Sequence, residues 1–136
     1  MGYCMEQQDS NFTIKPSNVA GALASIKALA GKETITDSSG RHYSWVSTKD
    51  FVKAETLSEA MNAWRWHVTC DEETGEVENI LFEGEKIGDE DALFGAIAPF
   101  VEPDSYIEMQ GEDGTLWRWV FDGKTCTEKK ATISWD

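Results

Sequence analysis

The chain has 136 residues, of which 40% are hydrophobic, 11% aromatic and 27% charged, with three prolines. That is a core-forming composition for a single domain, residues 1–136, and it excludes a disordered chain, a collagen-like repeat and a disulfide scaffold. Twelve basic residues face 25 acidic ones, a net charge of −13, which excludes direct nucleic-acid binding by phosphate neutralisation, and no apolar run is long enough for a membrane span.

The N-terminal residues Met1 to Phe12 have neither a basic start nor an apolar core, so no secretory leader is expected. Gly2 does not begin a myristoylation motif, because Glu6 stands where Ser or Thr is required. Cys4, Cys70 and Cys126 are widely separated, odd in number and outside any Cys-x-x-Cys spacing. Reduced thiols and a cytoplasmic location are the expectation.

Tyr3 to Gln7 and Phe12 to Lys15 read as a strand pair, or as one strand and a loop. Val19, Ala22, Leu23, Ile26, Leu29 and Ala30 then keep one helical face apolar, with Ser17 or Asn18 as N-cap and Gly31 as the C-terminal glycine. The turn residues Asp37 to Gly40 precede a strand over His42 to Ser47. Leu57, Ala60, Met61 and Trp64 mark a second helix, opened by a Thr56/Glu59 capping box. Trp66 to Cys70 and Val77 to Glu83 flank a polar turn and predict a hairpin. Leu93, Ala96, Ile97 and Phe100 mark a third helix that Asp89 caps and Pro99 limits. Ser105 to Gln110, Thr115 to Phe121, Lys124 to Lys129 and Ala131 to Trp135 form a closing series of short strands. The predicted class is therefore α+β: a mainly antiparallel sheet with about three helices packed on it and a C-terminal β-meander.

The turn at Gly111 to Gly114 fixes a register. Trp117, Trp119 and Phe121 share one face of their strand, and Leu116, Arg118 and Val120 the other. A three-residue loop, Glu112-Asp113-Gly114 with Gly114 left-handed, puts Ile107 and Met109 on the tryptophan face and Glu108 opposite Arg118. A two-residue loop would mix Glu108 with the tryptophans.

Charge is uneven. Between Asp71 and Asp113 lie 15 acids and one base, Lys86, while the rest of the chain is nearly neutral. Ten of the acids fall within Asp71 to Asp91: Asp71, Glu72, Glu73, Glu76, Glu78, Glu83, Glu85, Asp89, Glu90 and Asp91. Three readings compete: a solvated face, a recognition surface imitating a polyanion, and a loose divalent-cation site. An EF-hand loop beginning at Asp71 fails, because Gly75 is fifth and Glu76 sixth where glycine belongs sixth. No nucleophile elbow, zinc-protease helix, P-loop or dinucleotide fingerprint is present, and His42 and His67 read as sheet residues. The expectation is a non-enzymatic protein with no catalytic residues, no cofactor and no bound metal. Of Trp45, Trp64, Trp66, Trp117, Trp119 and Trp135, most should be core. Trp66 and Trp135 are expected to be partly exposed, and Trp66 beside the acidic rim would anchor a protein partner.

The opening YCMEQQDSNF, the following IKPSNVAGAL, the segment LSEAMNAWRW and the ending SYIEMQGEDGTLWRWVF…ISW resemble a group of small acidic proteins of bacterial phages, prophages and mobile elements. The resemblance implies an accessory role in the contest between phage and host, and it carries no catalytic motif. Together with the charge it leads to an expected function. The acidic face 71–113, with Glu112 and Asp113 at its end and Trp66 beside it, would occupy the basic surface of a host nucleic-acid-handling or defence protein. The alternatives are a protein-binding module acting through an aromatic surface, like an immunity protein, and a small-molecule or nucleotide sponge.

Overall fold

The computed structural model describes residues 3–33, 35–38 and 40–131. The central sheet has four antiparallel strands in the order β1-β6-β7-β8: β1 (Met5–Asn11), β6 (Tyr106–Gly111), β7 (Leu116–Phe121) and β8 (Cys126–Lys130). Two hairpins accompany it, β2 (Ile35–Asp37) with β3 (Gly40–His42), and β4 (Trp66–Cys70) with β5 (Val77–Phe82). The helices are α1 (Pro16–Lys27), α2 (Thr48–Lys53), α3 (Leu57–Ala63) and α4 (Glu90–Ile97), the last running into a 3-10 turn over Ala98–Phe100. The fold is α+β with mainly antiparallel sheets.

The meander registers as the polar/apolar segregation requires. Ile107 faces Trp119, Met109 faces Trp117 and Glu108 faces Arg118. Gly111 accepts from Gly114 N–H at 2.9 Å, and Gly114 sits at φ 87°, the left-handed conformation the three-residue loop needs. Ile107, Met109, Trp117, Trp119 and Phe121 are all buried on the helix side. On the opposite side Arg118 Nε meets Glu108 Oε1 at 2.8 Å, and its guanidinium lies 4.3 Å over the Tyr106 ring. The tail of the predicted last strand, Thr132 to Trp135, lies outside the described residues, so the expected exposure of Trp135 does too.

The β4–β5 hairpin is joined to the free edge of β1 in an unusual way. At one end Ile14 and Val77 exchange backbone hydrogen bonds of 3.0 and 2.9 Å. At the other, Met5 N–H donates to Glu85 O (2.8 Å) and Ile87 N–H to Tyr3 O (2.7 Å). Between them a bulge after Gln7 interrupts the β1 ladder. There the Gln7 side chain substitutes for backbone. Its Nε2 donates to Ile80 O at 2.9 Å, and its Oε1 accepts from Phe82 N–H at 2.7 Å. Of the two N-terminal alternatives, one strand followed by a loop is the observed one, with Phe12 and Ile14 buried in that loop.

Four local expectations need correction. The first helix begins at Pro16 rather than after a Ser17 or Asn18 cap, because proline at N1 forfeits no intrahelical bond. The strand predicted over His42 to Ser47 ends at His42. Tyr43 and Val46 instead close a tight turn (Val46 N–H to Tyr43 O, 3.1 Å) that buries both. The helix α2 carries a single buried side chain, Phe51, too little to show as periodicity. Asp89 occupies the N-cap position of α4, but its carboxylate accepts from Ser44 N–H at 2.7 Å instead of capping. The capping box at α3 is formed: Thr56 Oγ1 accepts from Glu59 N–H at 3.1 Å.

Candidate functional site

The predicted acids separate into structural carboxylates and solvent-facing ones. Asp71 belongs to the first group. Its Oδ1 accepts from Glu73 N–H (2.8 Å) and Thr74 N–H (3.1 Å), and those donors hold its carboxyl below the usual range, Thr74 contributing most. Its backbone closes the same turn, bonding Glu76 O and Gly75 N–H at 2.8 Å each. Glu112 Oε1 accepts from Cys4 N–H at 2.8 Å. Asp113 accepts from the Tyr3 hydroxyl and from Thr115 N–H (3.1 Å); the Tyr3 contact is the larger cause of its lowered pKa. Asp91, though exposed, accepts from Trp119 Nε1 at 3.2 Å.

Glu90 is not part of any outer face. It is 1% exposed. Its Oε2 meets Arg65 Nη2 at 3.0 Å and Trp66 Nε1 at 3.5 Å, and its Oε1 accepts from Gly88 N–H at 2.6 Å. Burial pushes its pKa up, against the pull of the Gly88 N–H and of Arg65. Trp66 requires the same correction. It is fully buried, with ring centroids 4.7 Å from Phe82, 5.2 Å from Phe94 and 6.2 Å from Trp119. The strand alternation that turns Trp66 inward places it beneath α4 and against β7, a contact across more than fifty residues that sequence spacing does not reveal.

What remains is strung along the β4–β5 hairpin. Glu72, Glu73, Glu78, Glu83 and Glu85 are exposed and Glu76 is half-buried. Glu83 lies 3.8 Å from His67, itself half exposed. Among the described residues none of these six carboxylates is within ion-pair distance of a lysine or arginine. The exposed Leu81 interrupts them at mid-strand. The strand β5 spans about 20 Å and its flanks extend it to about 30 Å, giving roughly one charge per 5 Å. That is sparser than the one per 1.7 Å of duplex DNA and nearer the 3.4 Å of a single strand. Glu112 stands near the Glu85 end of this row, since both carboxylates act on Lys86.

Among the described residues the exposed tryptophan is Trp45, at 54% exposure. No local sequence pattern marks it out; it sits in the Tyr43–Val46 turn at a left-handed φ of 64°. Among the described residues no group of three or more His, Cys, Asp or Glu side chains could hold a metal ion. An open groove of about 450 Å³ lies between α2 and α3, lined by Asp50, Lys53, Glu59 and Asn62. No described helix is long and apolar enough to cross a membrane. No family model, curated protein or solved structure matches the chain.

Proposed function

We propose that the protein is a non-enzymatic binding protein that docks through the acidic ridge of its β4–β5 hairpin on the basic surface of a nucleic-acid-handling or defence protein. One observation carries this reading. Among the described residues, carboxylates without a lysine or arginine partner are concentrated on a hairpin whose turn is held by the Asp71 hydrogen bonds and whose strands are tied to β1 at both ends. Fixed like charges repel one another, and the local fold gains nothing from them. A complementary basic groove would relieve that repulsion and accelerate encounter. The spacing favours a groove that tracks one phosphate strand over one that grips a duplex.

The test is capture of partners from a bacterial lysate on immobilised protein at about 50 and about 200 mM salt, where polyanion-like binding differs most. The wild type should retain a basic protein at the lower salt and release it to single-stranded DNA. The triple variant Glu73→Lys, Glu76→Lys, Glu78→Lys should not retain it. Retention by the variant with the same salt dependence would show the ridge to be a solvated face only.

A further inference from the structure

Building on the acidic-docking reading, we propose that Trp45 and Glu85 form a receptor groove for an arginine side chain of the basic protein partner. Trp45 is the most exposed of the large hydrophobic side chains described. Its backbone is left-handed, at φ 64°, a conformation costly for a bulky residue and natural for glycine or asparagine. The turn itself needs only buried Tyr43 and Val46 on either side and the hydrogen bond between them. Glycine would make that turn at lower cost, so the turn does not explain the indole.

The ring borders a groove of about 230 Å³ completed by Arg65, Gly84, Glu85 and Lys86. Gly84 forms a flat stretch of wall: a Cβ there would come within 2.8 Å of the Phe82 ring and 3.1 Å of Arg65 Nη1. The two cations at the groove already have their heads bonded within the protein. Arg65 Nη1 donates to Lys86 O (2.6 Å) and Nη2 to Glu90 (3.0 Å), while Lys86 Nζ is directed at Cys4 Sγ (3.3 Å). The Arg65 head stays in the wall beside Gly84, its charge shared with Glu90 and Lys86 O. The exposed carboxylates nearby are Glu85 and, beyond Gly84, Glu83. An incoming carboxylate would face these acids. A guanidinium fits both surfaces, stacking on the indole and pairing with a carboxylate, which the compact ammonium of lysine does less well. The groove lies at the Glu83 end of the acidic hairpin, so one partner can meet both.

The direct probe is the tetrapeptide acetyl-Gly-Arg-Arg-Gly-amide, with its uncharged citrulline counterpart as control. The readout is the indole N–H resonance of Trp45, assigned by its disappearance in Trp45→Gly. The arginine peptide should shift that resonance and the citrulline peptide should not. Followed at the backbone amides of Gly84 and Glu85, which both proteins keep, Trp45→Gly should weaken the peptide about fivefold or more. Because glycine suits the left-handed position, Trp45→Gly should melt no lower than wild type, so its loss of binding is not a loss of fold. No shift at Trp45, or an equal shift by the citrulline peptide, overturns the proposal. In the lysate capture, a partner lost by the ridge triple variant but held equally by Trp45→Gly overturns the groove and leaves the ridge standing. A partner held by the triple variant overturns the ridge, and the peptide titration still decides the groove.

Discussion

Glu90→Gln is the most informative single change for stability. Glu90 is 1% exposed, and Arg65, its partner at 3.0 Å, is 16% exposed. Removing one member of a buried pair costs about 3–5 kcal/mol, because the other charge stays behind uncompensated. Arg65 keeps its bond to Lys86 O and its position over the Phe82 ring at 5.4 Å. The lower end, about 3 kcal/mol, therefore applies. In urea that is a fall of about 1.5–2 M in midpoint for a domain this size. Arg65→Met supplies the contrast. It leaves a carboxyl whose pKa burial already raises, and that carboxyl can take up a proton where an abandoned guanidinium cannot lose one. A folded pKa above the unfolded one means the native state binds the extra proton, so stability falls as pH rises through that window. The cost of Arg65→Met should thus be smaller at about pH 5 than at about pH 8. Urea melts followed by circular dichroism at both pH values decide it. A Glu90→Gln midpoint within about 0.5 M of wild type would refute the assignment of Glu90 as a buried, ionic linchpin.

Gln7→Ala should cost about 1–3 kcal/mol in the same melts, since Phe82 N–H loses its partner and Ile80 O keeps only the Ser10 hydroxyl at 3.4 Å, and should speed amide exchange at Phe82 first. Gly114→Ala should cost about 1 kcal/mol by forcing a side chain into the left-handed turn at φ 87°. The Asp37 contact at 2.9 Å raises the His42 pKa most, with help from Tyr43 O. The β2–β3 hairpin should therefore be firmest below the ordinary histidine value and loosen as pH rises through the raised one, read by NMR titration and abolished in Asp37→Asn. Of the three thiols, Cys126, pushed up to about 12 by burial, should react last with a thiol reagent, and exposed Cys70 should precede it.

Local chemistry made much of this fold legible. The Gly111–Gly114 turn and the alternation in Leu116 to Phe121 determined the meander register, because only one loop length kept Glu108 off the tryptophan face. The Thr56/Glu59 pair marked α3 because a capping box lies wholly within one turn. What escaped was non-local. Trp66 looked peripheral until Phe94 and Trp119 closed over it, and Glu90 resembled its acidic neighbours until Arg65, 25 residues earlier, reached it. Trp45 was invisible for the opposite reason: it sits in a left-handed turn position that no local sequence pattern marks out. These reversals also make Trp66→Ala a poor probe of binding, since emptying a fully buried indole site costs about 3–5 kcal/mol of stability.

The junction at Gln7 sets the acidic hairpin apart mechanically from the strands beside it. Neighbouring strands joined by a continuous ladder inherit a fixed mutual rotation of about 20–25°. Here a rotatable amide spans the middle, and only the ends are clamped by main chain. The hairpin is therefore held beside β1 without the rotation that a continuous ladder would impose.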